Sequence, residues 1–233
     1  MPTVKAREIR RIVDNIYRAI VEQRILPGTR LVEAKLTEAL DANRNHVRSA
    51  LQELKHRKVV TIEANRGAYV SRPSMKEARD VFEVRKVLEG CAIEKAAENI
   101  TAVDIKRLKK LANEEHKAIA AKNHPLSIAI SGRFHKQIVK ISCNQLILEL
   151  MDDLLARTSL IIGVYERKGT GTTCHFDDHD KLIELLAAKN PQACRKFMVD
   201  HLEHLEQSLA LDNHHQWSQD FTEIFQDMGS WQN

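Results

Sequence analysis

The apolar side chains of residues 7–72 switch from helical to strand spacing in a fixed succession, and that constrains the fold more than any other feature of the chain. Ile9, Ile12, Val13, Ile16, Ile20 and Val21 recur at steps of three and four, one face of a helix over Arg7–Arg24. Ile25-Leu26-Pro27-Gly28-Thr29 ends it with a Pro-Gly turn. A short helix over Glu33–Leu40 follows, with Leu36, Ala39 and Leu40 inward. Asp41-Ala42-Asn43 breaks the chain, and Asn43 is a good N-cap for a helix over Arg44–Arg57 that buries Val47, Leu51 and Leu54. Two β-branched stretches, Val59-Val60-Thr61-Ile62 and Ala68-Tyr69-Val70, flank Asn65-Arg66-Gly67 and read as a hairpin with a basic tip.

The order helix, helix, turn, helix, hairpin is that of a winged helix-turn-helix. The recognition helix of such a module presents donors to base edges from its N-terminal half, the end that enters the major groove. Arg44 and Arg48 lie one turn apart on the outward face with Asn45 beside them. Arginine can bond guanine in bidentate fashion and asparagine can do the same to adenine. Arg66, beside Gly67 at the wing tip, is placed for the minor groove or a phosphate. Charge agrees with this reading. Residues 1–72 hold 15 Lys+Arg against 8 Asp+Glu, whereas residues 73–233 hold 21 against 24, so a +7 segment precedes a −3 segment. A solvated charged surface would give the same balance, so charge alone does not decide.

After Arg72-Pro73-Ser74 the pattern is helical throughout. Helices are expected near 75–98, 102–121, 126–141, 145–163, 175–188, 191–211 and 216–227, with breaks that include Gly169-Thr170-Gly171. There is no strand pattern there, and no glycine-rich phosphate loop. The fold class is therefore mainly α: a DNA-binding domain over 1–72, and an all-helical antiparallel bundle over 73–233 for effector binding and dimerisation. Ser159–Val164, among the longest apolar runs, falls far short of the roughly 20 residues that span a bilayer. The charged N-terminus lacks a signal-peptide core. Cys91, Cys143, Cys174 and Cys194 form no CxxC pair, which fits a reducing cytoplasm better than a zinc ribbon or disulfide framework.

Leu26-Pro27-Gly28-Thr29-Arg30-Leu31-Val32-Glu33, Leu36-Thr37-Glu38-Ala39-Leu40 and the run from Asn43 to Leu54 resemble the GntR family of repressors. The family pattern is roughly PGxxLxExxLAxxLGVSRTPVREALxxL followed by a wing ending in GxxV, matched by Gly67-Ala68-Tyr69-Val70. Asp41 stands for the turn glycine, Asn43 for Ser, His46 for Pro and Ser49 for Glu. Asp41 is tolerable there if it visits the left-handed region. The resemblance implies that Arg44, Asn45, Arg48 and the wing around Gly67 touch operator DNA, with Asn43 opening the helix that does so.

The remainder is similar to the FCD-type effector domain of the FadR subfamily. The similarity is carried by Val81-Phe82-Glu83-Val84-Arg85-Lys86-Val87-Leu88-Glu89, by Phe134-His135 with Ser142-Cys143-Asn144, by His179 with Leu182-Ile183, and by Met198-Val199-Asp200-His201-Leu202. Periodicity alone puts His135, His179 and His201 on the apolar stripes of three helices. Each reads singly as a hydrogen-bonded core histidine, while together they could share a transition metal. The resemblance implies the metal, zinc or nickel, but the family's usual Asp four residues before the first His is Ser131 here. Three histidines can still hold such an ion. Otherwise the imidazoles would bind the effector directly. Arg85 lies on the otherwise apolar line Val81, Leu88, Ala92 and needs an anion. An internal salt bridge and the carboxylate of an organic acid are both open, and the resemblance favours the second.

The expected protein is a cytoplasmic, dimeric regulator, in the manner of a repressor, that binds palindromic operator DNA and senses a small acid near Arg85, Ser131 and His135. Two rivals stand beside it. A hydrolytic zinc centre also uses three histidines with an open position, though no well-placed carboxylate base is evident. A helical protein-interaction module would leave the basic first third unexplained.

Overall fold

The first apolar stripe folds as a helix, α1 (Val4–Val21), which buries Ile12, Val13, Ile16 and Ile20. The structure is a computed structural model that describes residues 3–166 and 177–211. Helices α2 (Glu33–Ala39) and α3 (Arg44–His56) follow. Asp41 between them adopts φ 44°, the left-handed conformation that its place at the turn demands. Arg11 fastens this turn from α1, its Nη2 donating to the carbonyls of Leu40 at 2.8 Å and Asp41 at 3.4 Å. Asn43 caps α3, its side chain accepting from the Asn45 N–H at 2.8 Å. Asn43→Ala should therefore cost about 1 kcal/mol in urea unfolding and fray the end of α3; unchanged stability would show the cap to be idle.

Two departures from the sequence reading occur here. Ala39 is exposed rather than inward, because α2 is seven residues long and only Leu36 and Leu40 lean on the core. The hairpin of β2 (Val60–Glu63) and β3 (Gly67–Val70) gains a third strand, β1 (Arg30–Leu31), in the antiparallel order β1-β3-β2. Two residues are too short to carry an alternation signal, so only pairing, Arg30 opposite Tyr69 and Leu31 opposite Ala68, reveals β1. Asn65 at φ 61° and Gly67 at φ 97° make the sharp wing tip.

Among the described residues, six helices follow: α4 (Met75–Asn99), α5 (Ala102–Ala120), α6 (His124–Ile141), α7 (Gln145–Tyr165), α8 (Asp178–Ala187) and α9 (Pro191–Ser208). Capping boxes open α4 (Ser74, Glu77) and α5 (Thr101, Asp104), and asparagines cap α6, α7 and α9. Helix α4 is central, packing against α6, α7, α8 and α9. The expected helix near 216–227 and the break at 169–171 lie outside the described residues, and α8 starts at Asp178 rather than near 175. No described helix is long and apolar enough to cross a membrane.

Helix α7 belongs to both parts of the molecule. Its Ala156 and Leu160 complete the core built by α1, α3 and the sheet. Gln23 Nε2 donates to the Ser159 carbonyl at 2.9 Å, and Ser159 Oγ donates to the Val21 carbonyl at 2.7 Å. Arg57 pairs with Asp153 at 2.7 Å while stacking over the Tyr17 ring at 3.9 Å. The DNA-reading module thus sits directly on a helix of the bundle.

Candidate nucleic-acid interface and histidine centre

On α3 the burial of Val47, Ala50, Leu51 and Leu54 turns Arg44, Asn45 and Arg48 outward, and all three are exposed. Both arginines lean on one carboxylate at the start of α2. Arg44 Nε stands 3.0 Å from Glu33 Oε2, and Arg48 Nε stands 2.8 and 3.0 Å from the two Glu33 oxygens. Burial pushes the Glu33 carboxyl up, but the hydrogen bonds and charges of Arg44 and Arg48 together outweigh it and hold the group below its ordinary value. The two side chains that would read bases therefore converge on one point, while Asn43 is occupied as the cap. Arg66 is exposed at the wing tip, paired with Glu63 at 3.0 Å, with Gly67 next to it. Glu33 was not anticipated as an organiser of this face.

The three histidines meet. His135 comes from α6, His179 from α8 and His201 from α9, all buried, and one ligand nitrogen of each lies within 4.8 Å of the others. Each ring is aimed by a carboxylate: His135 Nδ1 lies 2.5 Å from Glu89 Oε2, His179 Nδ1 2.5 Å from Glu115 Oε2, and His201 Nδ1 3.0 Å from Asp178 Oδ2. An ionised carboxylate only accepts hydrogen bonds, so each Nδ1 carries the proton and each Nε2 presents a lone pair. His135 and His201 then face each other Nε2 to Nε2 at 3.4 Å, and His179 Nε2 is buried without a partner. Three inward lone pairs are unfavourable unless a cation sits among them. Two nitrogens bound to one tetrahedral ion at about 2.1 Å stand about 3.4 Å apart, so the donor set fits a transition metal. Carboxylates on the far nitrogens are the usual support of metal-binding histidines.

The electrostatics agree. Burial pushes His135 down to about 3, so the ring is neutral at neutral pH. Burial is the largest single influence on the Glu89 carboxyl and pushes it up, but Arg85 and His135 together outweigh it and hold the group down at about 2. Arg85 is fully buried, donating from Nε to Glu89 Oε1 at 2.6 Å and from Nη1 to Thr158 Oγ1 at 3.2 Å. Its anion partner in this structure is thus internal, one of the two readings the sequence left open. Arg85, Ser131 and His135 together line a cavity of about 40 Å³ with Gly132, Thr158 and Ser159. That space admits a few waters or the head group of a small acid.

Sequence reasoning missed the three carboxylates, which hold the far nitrogens of the rings and are not placed as general bases. Glu89, Glu115 and Asp178 are 46, 64 and 23 residues from the rings they hold, so no local spacing ties them to those rings. Glu89 alone had a readable signal, one turn after a buried Arg85.

The chain is similar to known proteins in sequence and fold. Residues 8–70 match the family of bacterial regulatory proteins called gntR, and residues 80–204 match the FCD domain. An HTH-type transcriptional repressor of Escherichia coli K12, RspR, is 24% identical over 194 residues, covering 83% of this chain and 85% of its own. The regulator LutR of Bacillus subtilis 168 is 26% identical over 206 residues, covering 79% and 93%. Among solved structures, a transcriptional regulator from Rhodococcus sp. RHA1 superposes with TM-score 0.76 at 23% identity, covering 85% of this chain and 95% of that one. McbR/YncC of E. coli superposes with TM-score 0.77 at 20% identity, covering 89% and 99%. The two family models together span nearly the whole described chain: the chain belongs to the GntR family, FCD-domain type, and is a DNA-binding transcription regulator rather than an enzyme.

Proposed function

We propose that this regulator is a repressor that binds a palindromic operator as a two-fold dimer and responds to a small carboxylate-bearing metabolite. In this reading residues 1–72 form the DNA-binding domain and residues 73–233 the effector-binding and dimerisation domain. The observation that carries it is the pairing of the exposed Arg44, Asn45 and Arg48 on α3 with a cavity lined by Arg85, Ser131 and His135. His135, His179 and His201 are the residues that would hold a divalent metal, zinc or nickel, and such an ion supplies open coordination positions for an acid's oxygens. Ser131 contributes a hydroxyl to the cavity where a fourth anionic ligand would otherwise add charge. Arg85 faces the same space, with part of its charge already answered by Glu89.

Arg48→Ala should weaken specific operator binding by about 1–3 kcal/mol, while Arg66→Ala should weaken specific and random duplexes more evenly. Fluorescence anisotropy on both duplexes at one salt concentration checks this. Equal losses on both for Arg48→Ala would remove α3 as the reader of bases.

Two recognition helices must stand about 34 Å apart to read a palindrome. Exposed Val84 and Val87 on α4 and Leu146 and Leu150 on α7, two helices packed on each other, supply apolar surface for a second copy. Sedimentation at micromolar concentration should find a dimer. A monomer that binds the palindrome with full affinity would refute the assembly.

A further inference from the structure

A second concavity lies away from the histidines, between the wing sheet and the bundle, with a volume of about 390 Å³. Four cations reach it from four elements. Lys55 comes from the end of α3, Lys58 from the turn after it, Arg72 from the linker into α4, and Arg157 from α7. None of the ion pairs among the described residues uses any of these four. Two acids also line the groove, but each is engaged. Glu77 Oε2 accepts from the Ser74 N–H at 2.8 Å and from Ser74 Oγ at 3.0 Å, and Asp80 pairs with Lys76 at 2.7 Å. The carboxylate one turn before Arg157, Asp153, is taken by Arg57.

Arg157 is the telling residue. Its Nε is buried and has no hydrogen-bond partner. A buried charged donor left unsatisfied is costly, and natural structures seldom retain one without a use. Val60, Val81 and Leu154 provide apolar wall beside it. Cations above apolar wall suit a ligand that is itself divided, an oxyanion on a hydrocarbon body.

We propose that this groove is a second ligand site, for a small organic oxyanion gripped by Arg157 and the cations around it. The site is separate from the cavity beside His135, with which it shares no lining residue. A ligand seated there touches the wing strand β2, the linker, α4 and α7 together, and so fixes the DNA-reading module against the bundle.

The test titrates the full-length protein with benzoate, succinate, citrate and inorganic phosphate at constant ionic strength. Binding is followed by the arginine Nε–Hε resonances and by calorimetry. At least one anion should shift the Arg157 Nε resonance in wild type. It should bind His179→Ala as it binds wild type, and bind Arg157→Met about tenfold more weakly, the loss expected for one charge-assisted hydrogen bond. If Arg157→Met does not fold, Lys55→Gln combined with Arg72→Gln should show the same weakening. An unmoved Arg157 resonance at millimolar concentrations of every anion would overturn the site. So would equal affinity for the groove variants and wild type. Loss of binding in His179→Ala would assign the anion to the histidine centre and overturn it as well.

Discussion

Glu89→Gln should destabilise the protein by about 3–5 kcal/mol, because it leaves the fully buried Arg85 without a counter-charge. The geometry explains why so small a change does so much. Oε1 of Glu89 serves Arg85 and Oε2 serves His135, and both partners are donors. An amide offers one acceptor and one donor, so one of the two contacts becomes donor against donor. Urea unfolding gives the loss directly. Adding Arg85→Met to Glu89→Gln removes the orphaned charge and should recover most of the stability. A Glu89→Gln protein as stable as wild type would show that this buried pair carries no stabilising charge interaction.

The elements that depend on short-range periodicity were legible in the sequence. Each turn of α1 and α3 puts an apolar residue on the same side, so their buried faces follow from spacing. The cap of α3 was legible from local sequence too, since Asn43 is placed to satisfy a free N–H group of the helix that starts at Arg44. Strand β1 was not, because its two residues have meaning only opposite Tyr69 and Ala68. The docking of the first module on α7 was equally hidden. Ala156 and Leu160 read as ordinary apolar positions of one helix, and their membership in the first core depends on contacts more than a hundred residues away in sequence.

At the site, the same division holds. The stripes place His135, His179 and His201 inward, and the structure brings their nitrogens together. What aims them was out of reach, since Glu115 and Asp178 sit on helices whose own patterns give no reason to bury an acid. The role of Glu33 was hidden because a surface glutamate on a short helix looks like solvent-facing charge, and only the fold puts both Arg44 and Arg48 upon it. Arg85 shows how spacing can frame a question without answering it. Its buried position demanded an anion, and the nearest one, Glu89, was four residues along the same helix.

Chelating bound divalent metal should lower the melting temperature by roughly 5–10 °C. Free metal at a hundred times its dissociation constant stabilises the native state by about 2.7 kcal/mol, and each kcal/mol moves the midpoint of a chain this size by about 2–4 °C. The ligands come from α6, α8 and α9, so an ion joins three helices, of which α8 and α9 are already linked by Asp178 and His201. His179→Ala removes the nitrogen that now lacks any partner, and should abolish the response to both zinc and nickel. Ser131→Asp places a carboxylate one turn before His135, on the wall of the same cavity, and should tighten the ion because an anionic oxygen replaces a hydroxyl. Thermal melts of wild type, His179→Ala and Ser131→Asp across a titration of each metal make the comparison. If wild type and His179→Ala respond alike, the three lone pairs are not a metal site. His135, His179 and His201 are then core residues or direct contacts of the effector.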